Sequence, residues 1–391
     1  MTDSTRTIIE IHALETTSAS NLNRDDTGSP KTLEYGGVKR ARVSSQAWKR
    51  PTREMFRTLL DPKDLGIRTK RVVEVLRDRI LELAPDTDPE TAVTAAESVL
   101  RDGAGIKLDK PRAKKGDDGG NALQQSKYLL FMGNRQYDQL AAIAVDALNQ
   151  DDPAKRIKDK DVKKRIKQIV ANDRSIDVAL FGRMVADDTD LNVDATVQVA
   201  NAISVHAVDT ESDFFTAVDD VKRDSEDEGD SGAAMVGQIE FNAATYYRYA
   251  NVDVNRLNDI LGDANATAKA VAAFIKGFLF SMPQGKVSTF AQGTLPDLAV
   301  VNVRDTQAVN LVGAFTRPVE PDYVQHATEA LVRREKDFER AYDITPVHTW
   351  VVRVGDDTAA ADQLAEPTSM RALLEGVEAT VRDRLGASAQ E

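Results

Sequence analysis

Residues 39–60 read KRARVSSQAWKRPTREMFRTLL. Seven cations (Lys39, Arg40, Arg42, Lys49, Arg50, Arg53 and Arg57) stand against one acid, Glu54, although the 391-residue chain carries a formal charge of -12. A cationic segment in an acidic protein is a local choice about a partner, because association follows where charge sits as well as its total. The period changes within the stretch. Residues 40–43 alternate like the end of a strand, and Ser44 and Ser45 then offer hydroxyls suited to capping a helix. On a helix beginning there, Gln46, Lys49, Arg50, Arg53 and Arg57 share one face, while Trp48, Met55, Phe56 and Leu59 take the other. Pro51 interrupts this pattern: either the helix kinks there, or Pro51 opens its regular part at the first helical position. Both options leave donors and cations converging at a helix start, which suits a phosphate.

The remaining composition narrows the class. With 41% hydrophobic and 29% charged residues, the chain fits a globular protein with one large core or two ordinary ones. No apolar run reaches the ~18 residues needed to span a bilayer, and the first residues, MTDSTRTIIEIHAL, lack a basic leader. A membrane location and a signal peptide are therefore not expected. Cysteine is absent, which excludes disulfides and thiolate metal sites and fits a cytoplasmic setting. The four histidines (His12, His206, His326, His348) show no metal-ligand spacing, so neither a metal nor another cofactor is expected.

Outward from the opening stretch, residues 5–14 alternate as a strand, with His12 on a sheet face. A loop rich in Ser, Asn, Asp and Gly follows over 18–37 and carries Arg24, a candidate phosphate ligand. Residues 62–172 turn helical and read as an insertion, with helices near 72–83, 92–100 and 140–148. Near its end, KRIKDKDVKKRIK (155–167) sets Ile157, Val162, Ile166 and Ile169 along an apolar seam. Arg156, Lys160, Lys163, Lys164 and Lys167 line the outer side of this expected basic helix. These cations lack the interleaved acids that stabilise a solvated helix, which points to tracking of a phosphate backbone. Asp177–Met184, DVALFGRM, reads as a strand ending at Arg183, a phosphate contact, and Met184, an apolar wedge against a base. A helix capped by Asp194 is expected over 195–205. Phe214 and Phe215 precede an acidic protrusion and are candidates for base stacking. Further strands are expected at 239–250, 298–303 and 347–354, and helices near 266–282, 325–342 and 370–385. The loop 283–294 carries Lys286; Gly285-Lys286 lacks the upstream glycine of a P-loop.

Together these segments predict an α+β protein with a ferredoxin-like (RRM-like) β-α-β-β-α-β palm, interrupted by a large helical insertion and a protruding segment. The expected division is 1–61 and 173–205 for the first palm half, 62–172 for the insertion, 206–237 for the protrusion, and 238–391 for the second palm half.

Several motifs resemble the CasC family, the repeated backbone subunit of the type I-E CRISPR Cascade complex. They are Asn23-Arg24-Asp25-Asp26, Gly36-Gly37-x-Lys39-Arg40-x-Arg42-Val43-Ser44-Ser45-Gln46-x-x-Lys49-Arg50, Asp177-x-Ala-Leu-x-Gly-Arg-Met184, Asp213-x-Phe-Thr-Ala-Val-Asp-Asp220 and Tyr247-Arg248-Tyr249-Ala250-Asn251. The resemblance implies a right-hand shape in which the insertion is the fingers and the protrusion the thumb. It implies copies polymerising side by side along a CRISPR guide RNA, together with other Cascade subunits. Ser44, Gln46, Lys49 and Arg50 would hold the RNA backbone with Arg24 nearby, and Lys39, Arg42, Arg53, Arg183 and Lys286 complete the expected RNA contacts. Met184, Phe214 and Phe215 would kink the guide and display the bases between kinks for pairing with target DNA. The basic helix would lie along that DNA. No catalytic residue is expected. The rival readings are a metal-dependent nuclease, using Asp187, Asp188 and Asp190 or Asp25 and Asp26, and a general RNA-binding assembly protein.

Overall fold

The computed structural model describes residues 6–111, 122–172, 175–185, 192–217 and 235–388. In chain order the strands are β1 (Ile8–Ser20), β2 (Thr32–Tyr35), β3 (Val38–Val43), β4 (Gly66–Thr69), β5 (Leu108–Asp109), β6 (Gln125–Ser126), β7 (Leu130–Gly133), β8 (Val197–Val199), β9 (Ala202–Ser204), β10 (Glu211–Ala217), β11 (Met235–Asp253), β12 (Leu298–Arg304) and β13 (His348–Arg353). The helices are α1 (Ser45–Leu59), α2 (Val72–Leu83), α3 (Pro89–Ser98), α4 (Asn134–Leu148), α5 (Pro153–Lys158), α6 (Lys160–Ala171), α7 (Ile176–Phe181), α8 (Val254–Leu261), α9 (Ala264–Phe280), α10 (Val287–Phe290), α11 (Tyr323–Tyr342) and α12 (Met370–Ser388). The fold is mixed α+β, built on a large antiparallel sheet. It divides into two compact units: Met1–Met55, Gln198–Asn255 and Val271–Glu391 form the first, and Phe56–Val197 with Arg256–Ala270 the second.

In the first unit the strand order is β13-β12-β1-β11-β9-β3-β2, with β8 and β10 also on β11. Strand β1 lies at the centre. It pairs antiparallel with β11 from Ile8↔Asp253 and with β12 from Ile8↔Arg304. Residues 8–15 are buried without interruption because both faces of the sheet are covered. Tyr247, Leu298 and Val300 pack on one side with Phe315, Ala327 and Leu331. Tyr246, Ala244, Ala41 and Val43 pack on the other with Trp48 and Met282. The acids of this buried strand are matched by arginines on its neighbours. Glu10 pairs with Arg304, which also pairs with Glu335, and Glu15 pairs with Arg248. Removing one partner of such a pair strands a buried charge and costs about 3–5 kcal/mol. His12 is buried beside them, with Nδ1 at 2.9 Å from the Tyr247 hydroxyl.

The second unit is mainly helical. Val72, Leu76, Ile80, Ala96, Leu100, Leu140, Ala144, Ile157 and Ile166 share one core. The short ladders β4/β7 and β5/β6 lie in the same unit.

Two expected elements are corrected. Residues 176–181 form the helix α7 and not a strand, and Gly182 ends it at φ 76°. Five of its six residues are buried, so it offers no polar face from which a helical period can be read. Residues 195–205 hold the strands β8 and β9 and not a helix. Ala195, Val199 and Ile203 satisfy a helical spacing, but the β-branched Thr196, Val197, Val199, Ile203 and Val205 favour extended chain once β11 and β3 supply pairing edges. Among the described residues, no helix is long and apolar enough to cross a membrane.

Candidate nucleic-acid interface

The start of α1 is fixed by two side chains. Ser44 is the N-cap: its Oγ accepts the Ala47 N–H at 3.3 Å, satisfying one of the free donors of the first turn. The Ser44 N–H donates to Asn23 Oδ1 at 3.0 Å, which ties the Arg24 loop to the helix. The helix runs unbroken through Pro51, so Pro51 does not open its regular part. Thr52 Oγ1 donates to the Trp48 carbonyl at 2.9 Å one residue beyond the proline. Gln46 and Arg50 are exposed, Lys49 and Arg53 are half-buried, and Trp48 is buried. Burial pushes the Lys49 ammonium below its ordinary pKa. Arg50 pairs with Glu54 at 3.0 Å across a solvated face. Such a pair contributes about 0.3–0.5 kcal/mol, so a phosphate can displace it.

Around this helix start the first unit gathers further cations. Lys39, exposed near the start of β3, donates to Thr210 Oγ1 at 3.4 Å, and Arg42 reaches Asn201 Oδ1 at 3.3 Å through two nitrogens. Arg40 differs from both. It is fully buried and donates to the carbonyls of Tyr35, Ser204 and Phe315, so it holds the fold together and not a ligand. Arg24 is exposed and makes no ion pair with any described residue. Its neighbour Asp25 is engaged within the loop, where Oδ1 accepts from the Thr27 hydroxyl and from the backbone of Thr27 and Ser29. These bonds, the Thr27 hydroxyl first, hold the Asp25 carboxyl below its ordinary range. A shallow depression lined by residues 22–28 and Gly285 brings the Lys286 loop against the Arg24 loop. Lys286 itself is exposed. Arg24, Ser44 and Lys286 thus stand on three segments linked by Asn23 and Gly285. Asn23 and Gly285 escape sequence reading as positioning residues because each acts across a loop and not at a periodic spacing.

The two phenylalanines lie on β10, which pairs with β11 as a ribbon: Phe214 is opposite Gln238 and Phe215 opposite Gly237. Adjacent strand residues point to opposite faces, so the two rings do not share a side. Phe214 is 69% exposed and Phe215 43%, the latter lying over Gly237, where any Cβ would meet its ring. Residues 218–234, which include the acidic segment, lie outside the described residues.

In the second unit, Arg183 is 5% exposed and donates to the carbonyls of Phe131 and Val170. The expected phosphate contact is corrected to a structural role, because those bonds engage its guanidinium inside the fold. Met184, next to it, is 84% exposed. The expected single basic helix is in fact two. Asp159 ends α5 and caps α6, its Oδ1 accepting from Asp161 and Val162 N–H, an aspartate N-cap strong enough to restart the helix. Lys160, Lys163, Lys164 and Lys167 remain exposed on α6 and make no ion pair with any described residue, whereas Arg156 on α5 pairs with Asp146 at 3.2 Å. Among the described residues no three His, Asp or Glu side chains come together as metal ligands. Asp187, Asp188 and Asp190 lie outside the described residues.

An α+β sheet unit with exposed cations on linked segments is a protein whose surface chemistry suits a polyanion. Comparison with known proteins makes this specific: the chain belongs to the family described as CT1975-like protein, which it matches over residues 9–376. Two solved structures are similar along nearly their whole length. A chain of a structure titled "CRISPR RNA-guided surveillance complex, pre-nicking" is 33% identical, with a TM-score of 0.81, 96% of this chain covered and 100% of that one. A chain of a second, titled "CRISPR RNA-guided surveillance complex", is 30% identical, with a TM-score of 0.71 and coverage of 95% and 99%. No curated protein sequence matches significantly. The CasC resemblance carried by the Arg24, Lys39–Arg50 and Asp177–Met184 motifs is borne out.

Proposed function

We propose that this chain is a backbone subunit of a Cascade-like CRISPR RNA-guided surveillance complex, binding guide RNA beside other subunits of that complex. The observation that carries this reading is the end-to-end likeness, at 33% identity and a TM-score of 0.81, to a chain of such a complex. In finer detail, the neighbour order β12-β1-β11-β9, with α1 following β1 in the chain and α9 preceding β12, is the order expected of a ferredoxin-like sheet. That order supports a palm, with β9 taking the place expected of 177–184. The helical residues 62–172 serve as fingers and the β10–β11 ribbon as the thumb base.

On this reading Arg24, Lys39, Arg42, Ser44, Gln46, Lys49, Arg50, Arg53 and Lys286 hold the guide backbone. Met184, Phe214 and Phe215 press against bases. Lys160, Lys163, Lys164 and Lys167, with Arg156 behind its ion pair, track target DNA. Copies stack side by side along the RNA in the cytoplasm, and the chain acts by binding and not by catalysis. Mobile lysines and an exposed helix start grip phosphates without reading sequence, which is left to base pairing.

The test is reconstitution with a CRISPR guide RNA and with an unrelated RNA of equal length, followed by native mass spectrometry and nuclease protection, with and without Mg²⁺. Several copies per guide with periodic protection and intact RNA are expected. A single bound copy, or RNA cut only with Mg²⁺, would overturn the reading.

A further inference from the structure

The backbone between α9 and β12 is unusual. Lys286 and Ala291 both hold positive φ, 55° and 50°, though neither is glycine, and they bracket the single turn α10. That region is costly for residues with a Cβ, and such conformations persist only where surrounding contacts over-determine them. Three contacts do so here. Gly285 lies so close to the carbonyls of Asn21 and Leu22 that no side chain fits. Gln292, 3% exposed, donates from Nε2 to the Gly285 carbonyl at 2.7 Å and closes the loop on itself. Thr294 Oγ1 donates to Glu15 Oε1 at 3.2 Å.

The third contact reaches furthest. Glu15 is buried on β1, and its other oxygen pairs with Arg248 on β11. The Arg248 guanidinium lies 3.7 Å from the centre of the Trp48 ring on α1 and donates to the Phe278 carbonyl on α9. Through Glu15 and Arg248, the Thr294 hydroxyl joins the loop that carries Lys286 to the helix that carries Gln46, Lys49 and Arg50.

We propose that Thr294 is a positioning residue: its hydrogen bond to Glu15 latches the strained loop, fixing Lys286 at one place relative to the cations of α1 so that both grip the same RNA backbone. The proposal rests on the reading of Lys286 as an RNA contact. Threonine suits the latch because it supplies a donor without adding a second buried charge beside the Glu15–Arg248 pair. Thr294→Val removes that donor and keeps the shape, leaving the pair itself in place, and Thr294→Ser keeps the donor.

The full chain carrying Thr294→Val is compared with Thr294→Ser, Lys286→Ala and the Thr294→Val/Lys286→Ala double variant. Two quantities are measured: binding to a CRISPR guide RNA in a filter titration, and tryptic cleavage after Lys286 without RNA. Thr294→Val is expected to weaken binding about fivefold, as Lys286→Ala does, with the double variant no weaker than either, because the two changes remove one shared contact. Thr294→Ser should bind as the parent does. Cleavage should quicken in Thr294→Val and not in Thr294→Ser. Unchanged cleavage in Thr294→Val overturns the latch, and losses that add in the double variant overturn its action through Lys286. Quickened cleavage with full RNA affinity in Lys286→Ala overturns instead the reading of Lys286 as an RNA contact, and the positioning role with it.

Discussion

Arg50 and Arg183 are both arginines inside basic or family-like motifs, and their surroundings give them opposite tasks. Arg50 stands in water beside Glu54; Arg183 is enclosed by carbonyls. A guanidinium whose donors are taken by buried carbonyls cannot leave them for a phosphate without leaving those acceptors unpaired, at about 1–3 kcal/mol each. On the proposed reading, binding therefore falls to the cations that face water. Lys49 lies between the extremes, half-buried and with its ammonium pKa lowered by burial, so an approaching phosphate restores the stabilisation that solvent supplies only in part. Reversing both charges, Lys49→Glu with Arg50→Glu, should weaken guide binding roughly a hundredfold or more while leaving the unfolding midpoint within a few degrees. A filter titration beside a thermal melt checks this, and unchanged affinity would remove α1 from the interface.

At the scale of elements, α6 carries the second group of cations. Replacing Lys160, Lys163, Lys164 and Lys167 with glutamine should weaken capture of target DNA and flatten the salt dependence by up to ~0.9 per lost phosphate contact. An unaltered slope would return α6 to an ordinary solvated face. The join of β9 to β11 makes a different forecast. His206 Nε2 accepts the Thr245 N–H at 3.2 Å, while Nδ1 lies 2.8 Å from the Ala207 carbonyl, and the ring stacks on Tyr323 at 3.7 Å. Burial holds the imidazole below its ordinary value of 6.5. The unfolded chain therefore takes up a proton that the folded one refuses. Stability from this group is complete above about pH 6.5 and falls as the pH drops from there towards the folded value. Thermal melts at pH 7.5 and 5.5 should differ more for the parent than for His206→Gln.

The elements also divide by how plainly the sequence announces them. Helices α1, α9, α11 and α12 and strands β1, β11, β12 and β13 are long enough to be placed from the residue pattern, although β1 runs on to Ser20, into the stretch read as a loop. Between 176 and 204 the segments are short. α7 is apolar on nearly every side, and β8 and β9 are three residues each, so tertiary pairing decides what spacing cannot. The candidate interface follows the same rule. Its exposed cations are legible as types, but the buried state of Arg40 and Arg183 is set by partners far along the chain. The break at Asp159 was available locally, as an aspartate able to cap a new helix inside a basic run.

At the scale of the whole molecule, a chain of net charge -12 that holds a polyanion must do so against its own field, so its cations act only where they are concentrated. The sheet beneath them has a further property. Its central strand is made long before its partners: β1 ends at Ser20, while its two pairing partners begin at Met235 and end at Arg304. At ordinary elongation rates, those partners emerge from the ribosome on the order of 10–50 s after β1. Through that interval Ile8, Ile9, Ile11 and Leu14 have neither edge to pair with, and Glu10 and Glu15 lack their arginines. Nascent chains halted before Leu298 should leave β1 open to protease, and chains released past Arg304 should protect it. Helical segments such as α2 to α6, local in sequence, have no such wait. The order of synthesis and the order of pairing thus differ for this strand, and β1 needs a chaperone's cover until β11 and β12 have emerged.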